Sequence, residues 1–349
     1  MLQKKKTIIH ILIIAIFSGI IFTHTAEAKD NKSDKKFRIK LASLAPKNIG
    51  WARHIREIIH PEVKKATDNN VRLKWFWGGT MGNDVDYIQK MSIGQLQGAA
   101  FTGYGVTLVC PEMSVLGLPF MFNNYDEVDY IREKMMSTFD SYVEKRGYKL
   151  IVWADQDFDQ IYSVKYKFNK LENFKRALIV TWYGPMEQML LSELGSSPVP
   201  MNVTEITPSI RQGVADTLIA PAIWIIGSQL HSVIKHVNPV KIRYSPAAVF
   251  VTLDAFNNLP EEYQKGIIAL RGKPAVEFRE KTRADSAKAF KVLVTKGKIN
   301  KTEMETEEFN KLKKKSKTVW NKMAGSEFPK ELLDELLSHL AEFRAKEKK

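Results

Sequence analysis

Three aspartates alternate at Asp155, Asp157 and Asp159, directly after the apolar run Leu150 to Trp153. Carboxylates so placed can work as acid and base, ligate a hard cation, or accept a hydrogen bond from a ligand hydroxyl or amine. A calcium loop counted from Asp155 needs glycine at its sixth position and glutamate at its twelfth, and Gln160 and Tyr166 stand there instead. The expectation is therefore no metal and no cofactor, with Asp157 retained as a hydrogen-bonding ligand residue. His231 and His236 are five apart and do not share a helical face as paired metal ligands would. The single cysteine, Cys110, lies among apolar residues before Pro111 and reads as a small buried hydrophobe. No nucleophile elbow, phosphate loop, dinucleotide fingerprint or zinc-protease motif is present. The reading is a non-enzyme, and the rival enzyme reading would have to use the aspartate cluster.

Aromatic residues at strand ends offer a different chemistry. Trp75, Phe76 and Trp77 run into Gly78 and Gly79, and Trp182 and Tyr183 precede Gly184. Ligands of open α/β sheets sit beyond the carboxyl ends of strands, so such rings can form the wall of a binding site.

The elements that would position these residues alternate short apolar runs with longer amphipathic ones, the pattern of a sheet covered by helices. Strands are expected at 38–44, 71–77, 98–102, 149–153, 178–182 and 217–220. Helical periodicity covers 51–67, 85–93 and 125–145, and an apolar stripe follows Pro329. The stretch 91–100 shares its layout with 210–219: a helix ends at a glycine, Gly94 or Gly213, a polar residue turns the chain, and a strand follows. Two equivalent units imply two lobes with a cleft between them.

The 349 residues are 44% hydrophobic and 26% charged, which excludes disordered and disulfide-scaffold classes. The net charge of +14 is concentrated partly at the two ends, and no basic stripe interleaves with aromatics, so nucleic acid is not an expected partner. Residues 1–28 read as a signal peptide: Lys4 to Lys6, an apolar stretch from Ile8 to Phe22, and Ala26-Glu27-Ala28 as the cleavage site. The apolar stretch is shorter than the roughly 20 residues a membrane span needs. The expectation is a soluble periplasmic protein with no stable membrane insertion after cleavage.

Ile39 to Lys47, Trp51, Gly78-Gly79, Gln89 to Met91 with Gly94 to Leu96, Ala99 to Gly103, and Val115 to Phe122 resemble the DctP-type solute-binding subunits of TRAP transporters. Leu194-Gly195, Pro198 to Pro200, Glu205 and Gln212 to Asp216 extend the resemblance, which covers roughly residues 37–320 in order. It implies an α/β, two-lobe periplasmic-binding-protein clamshell with crossing strands and a long bracing helix. Such a receptor captures a small organic solute by hinge closure and passes it to TRAP membrane permease subunits. Lobe I would hold 37–160 with part of 251–290, and lobe II 161–250 with the C-terminal helices 291–345. Pro274 should interrupt the helical stretch that braces both.

The departures from the family pattern concern charge. The strand-end arginine that clamps a carboxylate in the family falls at Val180 here, and the arginine of a G-F-R-Q-like turn falls at Asp159. A carboxylate buried without a guanidinium or another donor set is costly. Two readings follow: a neutral or largely apolar ligand stacked on aromatic rings, or an organic acid whose clamp has moved, to Arg211 or Arg243. The ligand-binding residues expected under the first are Trp77, Phe101, Thr102, Asp157, Trp182, Tyr183, Ala220 and Trp224.

Overall fold

A computed structural model describes residues 36–347. The expected signal segment, 1–28, lies outside the described residues. Among the described residues nine strands form one sheet: β1 (Phe37–Ser43), β2 (Val71–Phe76), β3 (Gly98–Phe101), β4 (Tyr148–Ser163), β5 (Leu178–Thr181), β6 (Ser197–Pro200), β7 (Thr217–Ala220), β8 (His236–Thr252) and β9 (Asn300–Lys301). The order is β2-β1-β3-β8-β4-β7-β5-β6, with β9 beside β8.

Each lobe has a parallel trio, β2-β1-β3 in the first and β6-β5-β7 in the second. The long antiparallel strands β4 and β8 cross between them; β8 pairs with β3 on one side and β4 with β7 on the other. The fold is thus the two-lobe α/β clamshell with crossing strands. Gly94 and Gly213 end their helices at φ of 74° and 77°, the left-handed conformation the repeated layout requires.

β4 runs further than its sequence suggests, and β8 lies where the sequence predicts no strand. β4 continues to Ser163 because Asp155 and Asp159, which look solvated, are neutralised by buried arginines. β8 includes Pro239 and Pro246, which break a strand pattern, and the pairing with β4 is irregular around Pro246. β6 likewise carries Pro198 and Pro200 and survives as an edge strand.

The bracing helix is Lys273–Thr295, with Pro274 in its first turn, where a missing N–H costs nothing. It packs on β4, on Gly50–His54 and Ile55–Ile59 of the first lobe, and on Ala222–Gly227 of the second. The helices beyond residue 291 divide instead of joining lobe II together. Thr306–Met323 packs on Pro185–Glu193 of the second lobe, whereas Lys330–Lys346 packs on Tyr125–Lys145 of the first. Burial of Leu332, Leu333, Leu336 and Leu340 seats that last helix, and Arg344 pairs with Glu127 at 2.7 Å. Among the described residues no helix is long and apolar enough to cross a membrane.

Candidate functional site

A cavity of about 540 Å³ opens where the carboxyl ends of β1, β3, β5 and β7 converge. Ser43 ends β1, and the following turn brings Ile49, Trp51 and Arg53 to the wall at the start of a helix. Phe101 ends β3, and Thr102 caps the next helix, its hydroxyl accepting from Gly105 N at 3.3 Å. From the second lobe, Trp182 follows β5, and Pro221, Ile223 and Trp224 follow β7. Gln156 of β4 and Ala247 of β8 line the cavity from the crossing strands, and Asp285, Lys288 and Val292 from the bracing helix.

The rings are held in place. Trp182 donates its indole N–H to Ile219 O at 3.0 Å and stacks on Trp224, centroids 6.1 Å apart and planes 18° from parallel. Trp51 meets Phe278 edge to face at 5.1 Å. Most polar side chains on the wall are already engaged. Thr102 donates to buried Asp84, Ser228 donates to Trp224 O at 2.8 Å, and Thr282 donates to Phe278 O at 2.9 Å. Burial pushes Asp84 up to about 6, with the hydrogen bonds from Thr102 opposing the rise. The cationic side chains at the cavity are Arg53 and Lys288, set against the carboxylate of Asp285. Arg53 Nη2 reaches Asp285 Oδ2 at 3.2 Å, and His54 Nε2 meets the same oxygen at 2.9 Å.

Of the eight residues singled out in the sequence, Phe101, Thr102, Trp182 and Trp224 come together on this wall. Trp77 stacks on Trp75 at 4.7 Å against the first-lobe core and does not line the cavity. Ala220 is fully buried one residue before the lining Pro221. Tyr183 is buried behind the wall with the Arg243 guanidinium 3.9 Å over its ring. Asp157 points away, accepting from Tyr125, Ser286 and Phe158 N. Neither arginine named as a moved clamp reaches the cavity. Arg211 is exposed and donates to Gln229 O at 2.8 Å. Arg243 is buried between Asp159 and Glu187, at 2.6 Å from each. Arg53, Gln156 and Lys288 escaped the sequence reading. The available signals were Arg53's place two residues after the recognised Trp51, and Gln156's place between two aspartates.

The family model for bacterial extracellular solute-binding proteins, family 7, named DctP, matches residues 55–327. The chain belongs to this family. As a DctP-family protein it has distant relatives, among them an uncharacterized Haemophilus influenzae protein, 25% identical over 218 residues. That alignment covers 62% of this chain and 66% of the relative, just under two thirds of the relative's length. Among solved structures, the sugar acid binding protein DctPAm of Advenella mimigardefordensis, in complex with galactonate, has a TM-score of 0.81 at 18% identity, covering 88% of this chain and 99% of that one. A TRAP periplasmic solute binding protein of Haemophilus influenzae with bound L-gulonate has a TM-score of 0.77 at 19% identity, covering 87% and 100%. Within this DctP-family chain, Val180 and Asp159, the positions at which the resemblance places the family's arginines, are both fully buried.

Proposed function

We propose that this TRAP-type solute receptor captures an organic acid with few hydroxyls and a substantial apolar or planar body. The carboxylate is met at the cavity rim by Arg53 and Lys288, and the body lies against Phe101, Trp182 and Trp224. The observation that carries this reading is the cavity itself, walled by rings and branched aliphatics, with its cations confined to two rim positions. The similar receptors solved with galactonate and L-gulonate hold acids, which supports a carboxylate. A polyol chain would need many hydrogen-bonding partners, and Thr102, Ser228, Thr282 and Trp182 already spend their donor hydrogens inside the protein. Rings and a cationic fork suit an amphipathic acid better.

The work done is binding alone. A ligand that touches both lobes only in the closed arrangement shifts the hinge equilibrium toward closure by its differential affinity. The closed receptor then engages its membrane permease subunits, with no covalent step and no cofactor.

Calorimetry with phenylacetate as probe tests the rim. Replacing both cations, Arg53→Gln with Lys288→Gln, should weaken binding at least about ten-fold, or ~1.4 kcal/mol. Arg211→Gln, outside the cavity, should leave it unchanged. A second reading, a neutral apolar solute, is favoured by the engagement of Arg53 with Asp285. A neutral molecule carried through purification and detected by native mass spectrometry, held equally by parent and double variant, would establish it and overturn the acid.

A further inference from the structure

β4 and β8 pair in register from Val152↔Val249 to Asp155↔Pro246, and pairing resumes at Asp157↔Ser245. Gln156 is the extra residue, a β-bulge, opposite a proline that has no N–H to offer. Bulges re-aim side chains, and this one separates three successive residues. Asp155 meets Arg132, Arg283 and Tyr244, and Asp157 meets Tyr125 and Ser286, while Gln156 lines the cavity.

The amide of Gln156 has one orientation. Its Oε1 accepts from Gly103 N at 3.0 Å, and because a backbone N–H only donates, the oxygen must face Gly103. The Nε2 donors are left for the cavity. The bulge is held under strain: Asp157 has φ of 152°, a region that favours glycine. Its carboxylate secures that geometry by accepting from its own neighbour's N–H, Phe158 N, at 2.6 Å, and from Tyr125 of one helix and Ser286 of the bracing helix.

We infer that Gln156 is a specificity-determining residue, a fixed donor that reads an acceptor oxygen on the body of the captured acid, and that Asp157 is the positioning residue that presents it. The inference rests on the acid reading above and adds a second recognition point to it. A wall built to hydrogen-bond one oxygen discriminates against the analogue lacking it, because the donor is then left unpaired.

The experiment is calorimetry with matched probes: 4-hydroxyphenylacetate against phenylacetate, and phenylpyruvate against 3-phenylpropionate. The parent protein should bind the oxygen-bearing member of at least one pair about ten-fold more tightly. Gln156→Leu should bring that ratio close to one. Asp157→Ala should do the same, whereas Asp157→Asn, which keeps an acceptor for Phe158 N, should preserve it. A ratio near one in the parent, or one that survives Gln156→Leu, overturns this inference while the acid reading stands. A ratio that survives Asp157→Ala removes the positioning role. Failure of every probe to bind at millimolar concentration overturns the acid reading and this inference with it.

Discussion

Asp155 and Asp157 of β4 turn into a packed network of arginine, tyrosine and serine, whereas Gln156 between them lines an aromatic cavity with two rim cations. In the network, Arg283 bridges Asp129 and Asp155 at 2.7 Å to each, and Arg132 joins the same two carboxylates. Further along β4, Arg243 bridges Asp159 and Glu187. These ion pairs tie the crossing strands to the helices, with Arg243 a single cation between two carboxylates. Across β4, polarity is sparse and aimed. The contrast shows that a cluster of carboxylates in a sequence marks a place that needs counter-charge, which can be a hinge as readily as a site. The binding chemistry passes to the uncharged residue between them.

The sharpest way to break this comparison is to remove the counter-charge. Arg243→Met leaves Asp159 and Glu187 buried without their cation, and loss of one partner from a buried pair costs about 3–5 kcal/mol. Urea denaturation should register that loss even in the absence of any solute. A variant of unchanged stability that had lost only its solute would move Arg243 from the framework to the binding wall.

A smaller effect sharpens the same side. Two carboxylates share one guanidinium at Arg243, and burial raises Asp159 to about 6 from 3.8, with Arg243 opposing the rise. Its folded-state value lies above its unfolded one, so its contribution is fully present below pH 3.8 and is lost as pH rises through about 6. Asp159→Asn mimics the protonated form. It should gain on the order of 1–3 kcal/mol over the parent at pH 7, and the two should converge by pH 4. The comparison of unfolding curves at the two pH values checks the sign, and an asparagine variant that is less stable at pH 7 refutes it.

How much of this was legible beforehand follows the same division. Five of the six strands of the two parallel trios, the glycine caps at Gly94 and Gly213 and the role of Pro274 could be read because each is a local signal: alternation, a φ requirement, a missing N–H. Phe101, Thr102, Trp182 and Trp224 were legible as site candidates because strand ends place them on the cavity wall. The full length of β4 was not, since Asp155 and Asp159 read as solvated until Arg132, Arg283 and Arg243 arrive from elements distant in sequence; β8 and the edge strand β6 went unread because Pro239, Pro246, Pro198 and Pro200 interrupt their alternation. Asp157 and Gln156 exchange their apparent roles for the same reason. Strand alternation puts Gln156 on the face opposite Asp155 and Asp157, and which of the two faces borders the cavity is set by elements distant in the chain, among them Ala247 of β8 and the bracing helix. The division of the last helices between lobes is also a long-range outcome, decided by where the leucine stripe finds apolar surface.

The aromatic side of the comparison predicts the smallest effect on stability and a defined one on capture. Trp224 is half-buried, stands on a short helix after β7, and shares a stacked pair with Trp182, whose indole is anchored to Ile219. Truncating Trp182 would remove a nearly buried ring and disturb the second-lobe core, so its loss would confound folding with binding. Trp224→Ala instead opens the wall while leaving that anchor in place. Capture of 4-hydroxyphenylacetate should weaken about ten-fold, ~1.4 kcal/mol, as ring contact is lost. The melting temperature of the solute-free protein should move little, because a half-exposed ring contributes less burial than a core one. Calorimetry and a thermal melt on the same sample separate the two. Unchanged affinity would take Trp224 out of the binding wall, and a large drop in melting temperature would place it with the framework residues on the other side of β4.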